Sequence, residues 1–164
     1  MSAVECSGFA DVMKVFQFRL RPGADLLNGI TEALSAGGVR AGVFVSGLGA
    51  LRRAVFRNLK VFPQSFPVTP ADRLYLEVTA PLELVSLTGW VAPTATGIEV
   101  HAHFAASTVR GDTVVTHGGH LTEGTICGIK CVVAVLVVDP EHPQHVRAAI
   151  DPDTRSTDLF LSRT

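Results

Sequence analysis

Two histidines stand one residue apart in a segment rich in β-forming residues, and a third follows a pair of glycines. They are His101, His103 and, behind Gly118-Gly119, His120; four of the chain's six histidines lie between positions 101 and 120. On a strand, residues i and i+2 point to the same face, so the first two imidazoles can be directed at one point. A turn at residues 110–112 would return the chain and bring His120 beside them. Because neutral imidazole is the commonest protein ligand for transition metals, this pattern predicts a three-histidine metal site.

Three imidazoles would leave one position of a tetrahedral zinc open to water. His117 and Glu123 are candidates for an additional ligand, or for a hydrogen-bond partner of a ligand. Zinc is the expected metal, and another divalent transition metal is the alternative. Metal-bound water would support hydrolysis of a small substrate, with Glu123 or His117 as the proton carrier. The sequence has no nucleophile elbow, phosphate-binding loop, dinucleotide-binding turn or HExxH motif, so an enzymatic role is only an alternative.

The charge distribution offers one basic stretch but no overall attraction for nucleic acid. The formal net charge is −1, and no acidic residue occurs from Ala33 to Ala71. Binding of DNA through this stretch would be weak and would fall with salt, whereas an ordinary solvated edge is the alternative interpretation. The candidate nucleic-acid contacts are Arg52, Arg53, Arg57 and Lys60.

The composition favours an apolar globular protein with reduced thiols. Hydrophobic residues make up 47% of the chain and charged residues 18%, which is below the roughly 25% typical of soluble domains. Such a composition is expected when apolar surface is hidden between subunits, and a large monomeric core is the alternative. Cys6, Cys127 and Cys131 form no CxxC pair. Without a signal-peptide pattern, and with a longest apolar run of only Cys131–Val138, we expect a cytoplasmic protein with no membrane association.

The elements that would position the histidines form a mostly β pattern with one long helix. Alternation predicts a first strand over Met13–Leu20, and apolar residues at helical spacing predict a helix over Asp25–Ser35, stopped by Gly37-Gly38. Residues 1–12 are predicted to be a leader, residues 13–138 one domain, and residues 139–164 a C-terminal arm or tail on the surface. The remaining predicted strands are 40–46, 50–58, 74–79, 82–90, 98–107, 113–116 and 120–138, with a bend or close backbone approach at 47–49 and a bulge at Gly124 or Gly128.

Five short motifs occur in order along the predicted domain. They are Phe18-x-Leu20-x-Pro22-Gly23-x-Asp25-Leu26, Ser46-Gly47-x-Gly49-Ala50, Glu83-Leu84-Val85-Ser86-Leu87-x-Gly89, His101-x-His103 and Gly118-Gly119-His120-Leu121. In this order, from about Met13 to Val138, the chain resembles the plants-and-prokaryotes conserved (PPC) domain in its prokaryotic stand-alone form. The resemblance implies an α+β fold: a single domain of mostly antiparallel β-sheet packed with one or two α-helices, assembled as a homotrimer.

The resemblance also bears on metal and DNA. In prokaryotic members the corresponding histidines are associated with bound metal, usually taken as zinc, which carries over to His101, His103 and His120. His117 lies outside that pattern. Plant members join the domain to AT-hook segments, but this chain has no Arg-Gly-Arg-Pro core, so DNA association is implied only by kinship. The main expectation is therefore a zinc-binding homotrimer of unassigned biological role. A DNA-associated protein and a metal-dependent enzyme acting on a small molecule are the alternatives.

Overall fold

Strands dominate the part of the chain that the structure, a computed structural model, describes: residue 6, residues 11–138 and residues 146–161. A 3₁₀ turn at Pro70–Asp72 leads into the third strand. The α+β class and the mostly antiparallel sheet with one α-helix are confirmed for these residues. The elements are β1 Val12–Leu20, α1 Leu26–Ala36, β2 Gly42–Leu59, β3 Arg73–Val78, β4 Leu82–Pro93, β5 Ile98–Arg110, β6 Thr113–Leu121, β7 Ile126–Val138, β8 Val146–Ile150 and β9 Thr157–Leu161.

A seven-stranded antiparallel sheet has the order β1-β7-β2-β4-β5-β6, and β3 pairs with the last residues of β2. Strand β6 also pairs with β2, at Phe56–Leu121 and Arg57–His120. Strands β2, β4, β5 and β6 therefore form a closed circuit of pairings. Its inner face is apolar and includes Phe56 stacked on Phe104, with ring centroids 4.6 Å apart. The opposite, outer face carries the polar side chains described below.

Helix α1 buries its apolar stripe in the same core. Leu26, Ile30 and Leu34 are fully buried. The Asp25 carboxylate caps the helix by accepting the backbone N–H of Asn28 at 3.0 Å, and it also accepts that of Gly124 at 2.7 Å. A cap of this kind typically stabilises a helix by about 1 kcal/mol, and here it also fixes the helix start to the β6–β7 turn. The predicted helix is confirmed, with its ends displaced by one residue.

The predicted division of residues 40–58 into two strands is wrong, because β2 is continuous through the glycines at 47–49. A side chain at Gly47 would overlap Leu87, and one at Gly49 would overlap the Lys130 carbonyl. Gly49 also has φ +146°, a conformation that L-residues rarely adopt. The prediction for residues 47–49 was a bend or a close backbone approach. The glycines permit close approach of neighbouring strands, and β2 continues past them.

Two further boundaries differ from the prediction. The predicted strand over 120–138 is interrupted by the turn at residues 122–125, where Gly124 has φ +93°. The β5–β6 hairpin is longer than predicted, since pairing extends from Arg110–Thr113 to His103–His120. Within the predicted tail, residues 146–161 form the hairpin β8–β9. The first tail residues and the predicted leader, apart from Cys6 and residues 11–12, lie outside the described residues.

Cys127 and Cys131 are buried and free, and Cys6 is exposed and free. Cys127 and Cys131 pack in the core as small apolar side chains. None of the helices in the described ranges has the length and apolar character needed to cross a bilayer.

Candidate metal centre

A row of polar side chains crosses neighbouring strands on the outer face of the sheet. Tyr75 on β3 pairs with Arg57 on β2, and Arg57 in turn pairs with His120 on β6. His120 pairs with His103 on β5. Directly opposed residues share a face, with Cβ atoms about 4.5–5.5 Å apart. His101 lies two residues before His103 on the same face of β5, so the strand register brings three imidazoles together.

The ligand atoms of His101, His103 and His120 all lie within 4.8 Å of one another. Nδ1 of His120 and Nε2 of His103 are 3.4 Å apart. This separation is long for a hydrogen bond. Two nitrogens bound to one tetrahedral zinc at about 2.0–2.1 Å would be about 3.3 Å apart. The donor set therefore fits zinc in its chemistry, and the pair His103 and His120 also fits it in spacing.

The surroundings of the cluster keep two imidazoles in the neutral form that binds metal. Burial, followed by the charge of Arg57, lowers the pKa of His120 to about 3. Burial and then the neighbouring His103 lower the pKa of His101, although Asp158 acts in the opposite direction. Since protons and metal compete for the same nitrogen lone pair, neutral imidazoles at pH 7 are ready to coordinate.

The three histidines line an open cleft with a volume of about 1120 Å³. This volume is sufficient for a small molecule as well as a metal ion. Side chains from β2 and β3 line one part of the cleft, among them Arg57, Arg73 and Tyr75. Glu99 on β5 and Asp158 on β9 also line it, so the β8–β9 hairpin of the predicted tail contributes to its wall.

The other two residues predicted near the metal lie in different places. His117 pairs with Ala106 on the inner face, and its ring lies against Phe56 at a centroid distance of 5.8 Å. The structure therefore does not bring His117 to the cluster. Glu123 lines the cleft, but it is not part of the group of converging ligand atoms.

The four basic residues predicted as nucleic-acid contacts do not form one free basic face. Arg53 forms an ion pair with Glu77, with nitrogen and oxygen 2.9 Å apart, and Arg57 lines the histidine cleft. Arg52 and Lys60 are exposed. Two of the four are therefore directed to solvent rather than to the cleft or to a carboxylate.

Sequence reasoning did not identify Arg73, Tyr75 or Asp158 as residues of the site. Their local patterns are those of an ordinary strand and of a polar tail. Each reaches the cleft through pairing or packing between segments far apart in the chain. The one available signal was the spacing of Tyr75, on the strand predicted over 74–79, and Arg73 just before it, since residues two apart on a strand share one face.

Comparison with solved structures supports the fold and the presence of metal in a relative. A metal-containing protein from Archaeoglobus fulgidus is 28% identical, with a TM-score of 0.70; the alignment covers 94% of this chain and 97% of that protein. A plant- and prokaryote-conserved protein from Pyrococcus horikoshii is 20% identical, with a TM-score of 0.71 and coverage of 95% and 96%. A protein from Ralstonia eutropha that is named as a proposed DNA-binding protein is 20% identical, with a TM-score of 0.66 and coverage of 89% and 90%.

Sequence comparison extends the kinship to a longer protein. The bifunctional protein GlmU of a Synechococcus strain is 30% identical over 149 residues, which are 91% of this chain and only 20% of that relative. The profile of the Plants and Prokaryotes Conserved (PCC) domain matches residues 8–139. Since this match covers most of the chain, and the five motifs fall within it, the protein belongs to the Plants and Prokaryotes Conserved domain family.

Proposed function

We propose that this protein binds one divalent transition metal per chain, zinc in preference to others, through His101, His103 and His120. The observation that carries the proposal is the 3.4 Å separation of His103 Nε2 and His120 Nδ1, with the ligand atom of His101 close to both. The relative from Archaeoglobus fulgidus, which is named as a metal-containing protein, supports metal binding in general. The biological role of the metal is unassigned.

A metal held by three imidazoles would supply a Lewis acid with one position open to water or to a ligand. This chain's own residues favour the neutral form of His101 and His120 and leave the cleft accessible. Hydrolysis of a small substrate would also need a proton carrier. Glu123 lines the cleft and can serve as that carrier, whereas His117 lies on the other face of β6.

Elemental analysis of untagged protein tests the proposal. We expect about one zinc per chain in the wild type. Replacing His101 and His103 by Ala should remove the zinc, because a single imidazole holds it weakly, while His117→Phe should retain it as a matched change of a histidine outside the cluster. Full metal retention in the double variant would contradict the assignment. So would metal-free wild-type protein that does not take up added zinc, nickel or copper.

We also propose that the protein is a homotrimer, as the family resemblance implies. An apolar patch formed by Val43, Val45, Leu48 and Val85 supports subunit contact, since each of these side chains is about half exposed on the outer face. Surface patches of this kind commonly mark protein interfaces. Light scattering coupled to size exclusion should give a mass three times that of the 17.4 kDa chain.

DNA association is a second candidate function. It is favoured by the name of the Ralstonia eutropha relative, which describes that protein as a proposed DNA-binding protein. The exposed Arg52 and Lys60 are the side chains best placed for phosphate contacts. Binding through so few charges should be weak and should fall steeply between low and physiological salt. A gel-shift titration in low salt tests it: the double variant Arg52→Gln, Lys60→Gln should bind less tightly, and no retardation of the wild type would remove this candidate.

A further inference from the structure

Two arginines lie together beside the histidine cluster. Arg57 pairs with Tyr75 and Leu59 pairs with Arg73 across β2 and β3, so the two arginines are diagonal neighbours on one face. Side chains at such positions are within reach of each other when they are long. Arg57 is also the direct cross-strand neighbour of His120. The basic pair therefore adjoins the candidate metal ligands within the same cleft.

In the part of the chain that the structure describes, neither arginine forms an ion pair with a carboxylate, although the charge of Arg73 acts on the neighbouring Asp72. Among the described residues, none places a carboxylate oxygen within 4.0 Å of the Arg57 or Arg73 guanidinium, whereas Arg53 has Glu77 at 2.9 Å. Burial, followed by the charge of Arg73, lowers the pKa of Arg57, and the Tyr75 phenol acts in the opposite direction. Two guanidinium groups held together and partly removed from water make a local excess of positive charge that a bound anion would relieve.

The acidic side chains of the cleft lie elsewhere along its wall. The negative charge of Asp158 counteracts the lowering of the His101 pKa, so Asp158 lies near that histidine. Along the row of paired strands, His101 is farther from Arg57 than His120 is. Glu99 precedes His101 by two residues on β5, and Glu123 lies in the β6–β7 turn. Arg155, in the β8–β9 turn, completes the charged lining. The arginine pair therefore lies next to His120, whereas Glu99 and Asp158 lie towards His101.

We propose that Arg57 and Arg73 bind the doubly charged oxyanion of a small ligand, a phosphate group, next to the histidine cluster. Guanidinium groups present forked N–H donors that match phosphate oxygens, and two such groups favour a dianion over a singly charged carboxylate. The cleft has room for the remainder of the ligand, whose hydroxyl or amino groups would meet Glu99 and Asp158. This inference names the ligand class of the cleft in which metal is proposed to bind, and in that sense it rests on the proposed function.

Calorimetric titration of the full chain with inorganic phosphate tests the inference. It is carried out on protein loaded with zinc and on protein treated with chelator, with acetate as the carboxylate probe. We expect phosphate to bind both forms and to bind more tightly than acetate. Arg57→Gln and Arg73→Gln should each weaken phosphate binding about tenfold or more, because each removes a charge-assisted donor. Arg110→Gln, which changes an exposed arginine at the β5–β6 turn, should leave it unchanged.

The outcomes separate the phosphate site from the metal site. Retention of zinc by Arg57→Gln and Arg73→Gln, together with lost phosphate binding, supports the inference and shows that the variants fold. Phosphate binding that survives both arginine substitutions would overturn the inference. So would phosphate binding that is seen only with zinc present and is insensitive to the two substitutions. Acetate binding as tight as phosphate, or no binding of either probe, would also overturn the assignment to a phosphate group. Failure to bind zinc, with an intact phosphate response, would instead contradict only the metal proposal.

Discussion

In this protein, the surroundings of a histidine depend on which face of its strand it occupies. His120 points to the outer face of β6, where it meets His103, while His117 points inward against Phe56. The Nε2 atom of His117 is buried, and it has no hydrogen-bond partner among the described residues. A buried polar atom without a partner costs about 1–3 kcal/mol. We therefore interpret His117 as a core residue whose unpaired Nε2 atom lowers the free energy of unfolding.

Replacing His117 by Phe removes the unpaired polar atom and keeps an aromatic ring against Phe56. We expect the free energy of unfolding, measured with denaturant, to stay the same or to rise by about 1 kcal/mol. The matched variant His117→Gln keeps a polar group in the same place and should be less stable than His117→Phe. A loss of more than about 1 kcal/mol in His117→Phe, beyond the usual error of extrapolation, would contradict this interpretation.

At the level of elements, local patterns were sufficient for the helix and for the spacing of His101 and His103. The helix follows from its apolar stripe and the Gly37-Gly38 stop, and the histidine pair follows from strand alternation alone. The neighbours Arg57 and Arg73 could not be predicted as site residues, because their approach depends on the pairing of β2 with both β3 and β6. No local pattern specifies which distant strands pair. The continuous β2 was missed for a related reason, since Gly49 looks like a break until the close Lys130 carbonyl is known.

Gly49 provides a test of close strand approach. Gly49→Ala should lower the free energy of unfolding by roughly 2–4 kcal/mol, because the added Cβ overlaps the Lys130 carbonyl and φ is unfavourable for alanine. Gly97→Ala is the matched control: it lies in a loop with no neighbouring atom within 4 Å of the added Cβ. The control should change stability by less than about 0.5 kcal/mol. Equal stability of the two variants in denaturant unfolding would contradict the proposed role of Gly49.

The β8–β9 turn provides a test of pH dependence. The Asp151 carboxylate accepts hydrogen bonds from the backbone N–H of Thr154 at 2.6 Å and of Asp153 at 3.0 Å, and from the Thr154 hydroxyl at 2.8 Å. These bonds, those of Thr154 first, lower the pKa of Asp151 below its ordinary value of 3.8. The Asp151 carboxylate therefore takes up a proton at a lower pH in the folded protein than in the unfolded chain. Its stabilisation is complete above about pH 3.8 and is lost as the pH falls through the folded pKa.

Carbon-13 NMR titration of the Asp151 carboxyl measures this pKa directly. Thr154→Val removes one donor while keeping the side-chain shape, so the pKa should rise towards 3.8. Ser156→Ala removes a hydroxyl that contacts Thr154 at 2.8 Å but not Asp151, and it should leave the pKa nearly unchanged. A wild-type pKa at or above 3.8 would show that the carboxylate is not held in this way.

At the scale of the whole molecule, the three-histidine cluster and the apolar patch share one face of the sheet. His101 pairs with Trp90, Trp90 pairs with Val43, and Val43 pairs with Leu136, so one row of side chains runs from the cluster into the patch. The indole of Trp90 stacks on His101 with ring centroids 5.1 Å apart. Subunit contact over the patch would therefore place a neighbouring chain close to the cleft.

Placing a charge in the patch should separate assembly from metal binding. Val45→Arg puts a guanidinium where we propose that subunits meet, and burying an unpaired charge there is costly, so the mass by light scattering should fall threefold from trimer to monomer. The matched variant Val109→Arg changes a side chain that is 70% exposed near the β5–β6 turn, and it should remain trimeric. Because all three imidazoles come from one chain, the monomeric variant should still bind one metal per chain, with affinity altered only by the loss of the neighbouring subunit. A trimer that survives Val45→Arg would place the interface elsewhere, and a monomeric wild type would contradict the assembly itself.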